Sequence, residues 1–165
     1  MVETAQHQDR SRALGSTLPA GLGTGSKKPS TDPEAARLHA LLEVAYLAAS
    51  ADGKLADEEI QLLVANLQLW LGEELDSKFL LGLFDHLGTK LATEGAQARV
   101  DALAAQLDAD SRLVAYRLAC VTALCDGEVH DEEMRFLEGI VHAFEIPNAE
   151  AQAIFDSLDE ALSAI

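Results

Sequence analysis

The chain has 165 residues, which fits one domain, and 28 Asp and Glu against 12 Lys and Arg give it a formal charge of −16. That balance excludes nucleic acid, which is gripped through Lys and Arg on phosphates, and argues equally against an anionic lipid surface. No stretch of about 18 apolar residues occurs, so no membrane insertion is expected.

The first 32 residues stand apart. They hold Arg10, Arg12, Lys27 and Lys28 against Glu3, Asp9 and Asp32, so the remaining 133 residues carry −17. The run ALGSTLPAGLGTGSKKPS has no apolar period and too little apolar surface to offset ordering entropy. Residues 1–32 are therefore expected to be a disordered tail, followed by a helical domain over 33–165. The tail has no hydrophobic run of the secretory type, and the expected compartment is the cytoplasm.

From Pro33 onward the apolar spacing is helical. Leu38, Leu41, Leu42, Ala45, Tyr46 and Ala49 define a first helix, and Ile60, Leu63, Val64, Leu67 and Leu71 a second. Trp70 lies off that second stripe and is read as packing on a neighbouring helix, with a partner contact as the alternative. Phe79, Leu80, Leu83, Phe84 and Leu87 give a third helix expected to stop near Gly88, and Val100, Leu103, Ala104 and Leu107 a fourth. Leu113, Tyr116, Ala119, Cys120 and Ala123 mark the fifth, and Met134, Leu137, Val141 and Phe144 the sixth. Pro147 breaks the pattern, and Asn148 is a plausible N-cap for a last helix carrying Ile154, Leu158, Ala161, Leu162 and Ile165. With no strand alternation, the predicted class is all-α: a compact bundle of about seven helices with two pseudo-symmetric helix-turn-helix repeats.

The repeat is visible in the letters. AASADGKLADEEI, ending at Ile60, and TALCDGEVHDEEM, ending at Met134, superimpose with Asp52 on Asp126, Gly53 on Gly127, Leu55 on Val129 and Glu59 on Glu133. A unit used twice can bring two equivalent carboxylate clusters together. Locally, Gly suits a left-handed helix end, Asp accepts from loop amides, and the acidic run favours the positive end of the next helix dipole. A turn built only for stability looks much the same.

The spacing from Asp52 to Glu59 and from Asp126 to Glu133 also matches positions 5, 6, 8 and 12 of a calcium-binding EF-hand loop. The leading ligand positions fall on Ala48 and Ser50, and on Thr122 and Leu124, so neither copy is an EF-hand by itself. Asp52, Glu59, Asp126 and Glu133 can instead pool around one hard divalent cation, Ca²⁺, Mg²⁺ or Mn²⁺, if the turns lie side by side. His130 is read as a solvated surface residue. Cys120 and Cys125 are about 140° apart on a helix and are read as small buried hydrophobes.

The doubled pattern of an Ala-rich helix, (A/C)DGx(L/V)xxEE and an apolar helix resembles the TerB family of tellurite-resistance proteins, over roughly Leu38 to Phe144. The resemblance implies a compact helical bundle, a cytoplasmic acidic protein of tellurite or metal-stress systems, and divalent-cation binding by the acidic turns. It implies no enzymatic activity. Relatives commonly carry Ser or Thr before the second acidic run; Ala56 and His130 stand here. That loss leaves Glu59 and Glu133 expected to be freer of capping, with Asp57 or Asp131 as substitute caps.

No nucleophile elbow, zinc-hydrolase helix or phosphate-cradling Gly loop is present in the sequence, so a non-enzyme is expected. Two function classes stand: a cation-binding stress protein of the TerB type, and an acidic protein–protein interaction module without metal. The expected partner is a protein with a basic surface or a membrane-associated stress complex, with no nucleic acid.

Overall fold

A computed structural model describes residues 2–18, 33–53, 55–72, 75–125 and 129–164. These form eight helices: α1 (Val2–Gly15), α2 (Pro33–Ala49), α3 (Asp57–Leu71), α4 (Ser77–Glu94), α5 (Ala96–Gln106), α6 (Ala109–Leu124), α7 (Asp131–Ala143) and α8 (Asn148–Ser163). No strand occurs among the described residues.

The centre is the pair α2 and α6, which make the most extensive helix contact in the molecule. Ala40, Leu41, Leu42, Val44, Ala45, Leu47 and Ala48 are buried on α2, and every residue from Leu118 to Leu124 is buried on α6. Helices apolar on all sides belong inside, and their alanines allow a close approach. The outer helices present one stripe each. On α7, Leu137 and Ile140 face inward while Glu132, Arg135 and Glu138 face solvent. Met134, expected in that stripe, is instead 38% exposed.

Two guanidinium groups lock the bundle. Glu43, buried on α2, accepts from Arg99 Nε and Nη2 of α5 at 2.7 and 2.8 Å. Arg112 of α6 donates to main-chain carbonyls at the ends of α5 and α7: Leu107 at 3.0 Å, Phe144 at 3.2 Å, and Ala104. Cations at helix C-termini satisfy carbonyls that the helix leaves unpaired.

Three local expectations are corrected. The segment expected to be a disordered tail contains α1, which packs on α3, α6 and α8 and fully buries Leu14; residues 19–32 lie outside the described residues. Helix α4 runs past Gly88 to Glu94, because this glycine is a packing residue. A Cβ there would lie 2.9 Å from the Tyr46 hydroxyl oxygen. At the last helix, Pro147 occupies the cap position and Asn148 is the first helical residue.

Trp70 packs on a neighbouring helix, as read from its position. It is 7% exposed, and its indole Nε1–H donates to the Ser11 carbonyl of α1 at 2.9 Å. Cys120 and Cys125 are buried and unlinked. Burial pushes the Cys120 thiol up to about 12, so the nucleophilic thiolate is suppressed.

Candidate acidic-turn site

The two cassettes match where their second helices begin. In the first, Ser50 caps the end of α2, its hydroxyl donating to the Tyr46 carbonyl at 2.9 Å. The Gly53 amide then bonds the Ser50 carbonyl at 3.0 Å. Gly53 has φ +137°, a conformation that other side chains rarely take. Leu55 turns back to the core, and Ala56 is extended (φ −74°, ψ 159°) before α3 begins at Asp57. In the second, α6 ends at Leu124, Val129 packs on the core, and His130 is extended (φ −77°, ψ 160°) before α7 begins at Asp131.

The capping expectation is reversed. Glu59 Oε1 accepts from the Ala56 amide at 3.2 Å, and Glu133 Oε1 accepts from the His130 amide at 3.2 Å. Both glutamates therefore make their half of a capping box without a hydroxyl in front of them. Asp57 and Asp131 are first-turn residues, not caps. The glutamate carboxylate needs only the preceding amide, whichever side chain that residue carries.

The cassettes differ in their surroundings. Helix α3 packs chiefly on α1 and α4, whereas α7 packs on α6, α2 and α5. Glu59 is accordingly exposed and Glu133 is 7% exposed.

Asp52, Glu59 and Glu133 nevertheless line one pocket of about 70 Å³. Asn66, Thr122 and Cys125 share its wall. Asp126, the fourth expected ligand, lies outside the described residues. No group of three or more His, Cys, Asp or Glu among the described residues is close enough to hold an ion as it stands. The donors are nonetheless hard carboxylate oxygens, the kind that Ca²⁺, Mg²⁺ and Mn²⁺ take. Glu59 and Glu133 each use one of their two oxygens in capping.

The rear of the pocket is braced by a polar chain not foreseen from the sequence. The Ser11 hydroxyl of α1 donates to Asn66 Oδ1 at 3.0 Å, Asn66 Nδ2 reaches Cys125 Sγ at 3.7 Å, and Cys125 Sγ donates to the Thr122 carbonyl at 3.0 Å. Arg10 Nε donates to the Cys125 carbonyl at 3.1 Å, immediately before the second DG turn. The available signal was Asn66, a polar residue inside the apolar run Leu63, Val64 and Leu67.

An all-helical bundle among the described residues, whose sequence carries the acidic DG pattern twice, defines the class: a small helical domain. A sequence model of the family described as Tellurite resistance protein TerB matches residues 36–155, and the chain belongs to that family. No curated protein and no solved structure matches the chain significantly. Helix α1 lies wholly before the matched region.

Proposed function

We propose that this chain is a non-enzymatic TerB-type protein of the tellurite-resistance or metal-stress response that binds a hard divalent cation through its acidic turns. Asp52, Glu59, Asp126 and Glu133 are the proposed ligands, and Ca²⁺, Mg²⁺ or Mn²⁺ the proposed ion. The observation that carries the reading is the shared pocket: three carboxylates from both cassettes, distant in sequence, line one small space. Bound there, the ion supplies positive charge that neutralises the facing carboxylates and ties one cassette to the other. We place the protein in the cytoplasm; among the described residues no helix is long and apolar enough to cross a membrane.

The test is thermal melting of the full chain in EDTA and then in millimolar Ca²⁺, Mg²⁺ or Mn²⁺. A ligand present at about a hundred times its Kd adds about 2.7 kcal/mol to the folded state. The expected result is a metal-dependent rise that Asp52→Asn/Asp126→Asn abolishes. Indifference of the wild type to every ion overturns the cation reading.

A second reading, an acidic interaction module without metal, is favoured by the exposure of Asp57 and Glu58 on α3 and of Asp131 and Glu132 on α7. It expects a basic protein partner whose binding weakens with salt and ignores chelator.

A further inference from the structure

On the other side of the first turn, a second concavity opens between the end of α2 and helices α4, α5 and α7, with a volume of about 1100 Å³. Its wall is mostly apolar: Leu47, Phe84, Leu91, Val100 and Phe136, with the Tyr46 ring stacked on Phe84 at 5.4 Å. That exceeds the usual range of small-ligand sites, about 300 to 1000 Å³. Ten residues of helix, about 15 Å long and 10 Å wide, occupy roughly 1200 Å³.

Gly139 lines this groove from α7. It sits within α7, where glycine weakens a helix relative to alanine. Gly88, in the same wall, is explained by the Tyr46 hydroxyl above it, but a Cβ on Gly139 would meet no described atom within 4 Å. Gly82 of α4 is equally open outside the groove, so Gly139 supplies room there and the choice of occupant rests on the charge of the rim.

The rim supplies the charge pattern. Asp85 of α4 and Glu132 of α7 stand exposed on different walls, alongside Arg135. The whole chain carries −16, so a second copy is repelled while a cationic segment is drawn in.

We propose that the groove between α4, α5 and α7 is the docking site for an amphipathic helix of a partner protein, its apolar face on Leu91, Ala92 and Phe136 and its Lys and Arg flanks toward Asp85 and Glu132. This is helix-in-groove recognition. It deepens the interaction reading and does not depend on a cation at the acidic turns.

The probe is a fluorescent amphipathic peptide of Leu and Lys, about 18 residues long, titrated into the full chain in EDTA so that the cation reading cannot influence the outcome. Gly139→Leu fills the groove without altering charge. Gly82→Leu is its control, since Gly82 is also helical, faces open space and lies outside the groove. The expected result is about a tenfold or greater loss of affinity for Gly139→Leu, near wild-type affinity for Gly82→Leu, and a shallower salt dependence for Asp85→Asn/Glu132→Gln. Equal binding by both glycine variants shows only diffuse charge attraction and overturns the proposal. Self-association of the wild type that Gly139→Leu abolishes also overturns it, by making a second copy the occupant. If Gly139→Leu does not fold, methyl NMR of the wild type decides: peptide-induced shifts at Leu91 and Val100 support the groove, and their absence overturns it.

Discussion

The indole of Trp70 on α3 donates its N–H to the main-chain carbonyl of Ser11 on α1 at 2.9 Å, and Gly15 passes directly over the same ring. A Cβ at Gly15 would lie 2.5 Å from Trp70 Cδ1. Trp70 is the single tryptophan of the chain, so its fluorescence reports the docking of α1. Leu14→Ala, which empties a fully buried site on α1, is expected to lower stability by about 2–5 kcal/mol in urea. Gly15→Ala is expected to red-shift the emission by displacing the ring. An unshifted spectrum in Gly15→Ala would show that the close approach is not maintained.

The pairing of Glu43 with Arg99 is bidentate and largely shielded, with side-chain exposures of 7% and 12%. The hydrogen bonds that Arg99 donates to Glu43, ahead of the opposing desolvation, hold the Arg99 pKa well above its ordinary value. Glu43→Ala leaves the guanidinium near the core without its main partner and is expected to cost about 3 kcal/mol. Glu43→Met/Arg99→Met is expected to cost less than the two single changes added together. A double-mutant cycle in denaturant measures the coupling, and additivity would contradict it.

His39 of α2 is half-buried with its ring 5.5 Å from that of Phe79 on α4, and burial lowers its pKa from the ordinary 6.5. The folded state therefore holds the neutral ring, and on acidification the unfolded chain takes up the proton first. The contribution is fully present above the unfolded value of 6.5 and is lost as pH falls through the lower folded value. His39→Gln is expected to flatten the stability profile between 6.5 and the lower folded value. Superimposable slopes for wild type and variant would remove His39 from the account.

Glu145, just past the end of α7, has φ +55°, the single non-glycine residue with positive φ among those described. It holds the left-handed position of a helix-ending turn in which the Ile146 amide bonds back to the Val141 carbonyl at 3.0 Å. Glycine takes this conformation without the Cβ clash, which costs about 1–2 kcal/mol, though it is freer when unfolded. Glu145→Gly is expected to stabilise the chain by about 1 kcal/mol net, a rise of about 2–4 °C in Tm. A lower Tm would mean that the glutamate side chain contributes more than the backbone strain costs.

Apolar periodicity and turn chemistry are local properties, and the sequence by itself determined what depends on them: an all-helical chain, the positions of α2 to α8, two acidic cassettes opened by DG turns, and the TerB likeness those cassettes carry. The ends of α4 and the state of α1 escaped that reading. Gly88 reads as a stop until Tyr46 is seen above it. Helix α1 is polar along most of its length and is held by Leu14, by Ser11 on Asn66 and by Trp70 on a main-chain carbonyl, none of which leaves a period in the letters.

Only the tertiary structure decided how the acidic residues differ. Glu59 and Glu133 occupy equivalent places in the repeat and make the same bond to a preceding amide, yet one is exposed and the other buried, because α3 and α7 have different neighbours. The meeting of Asp52, Glu59 and Glu133 on one pocket, and the reach of Arg99 to a carboxylate 56 residues away, follow from how the helices pack. Helical period states which face of a helix is apolar. Which other face it meets is settled by packing among all the helices at once, and burial and charge pairing are set by that packing.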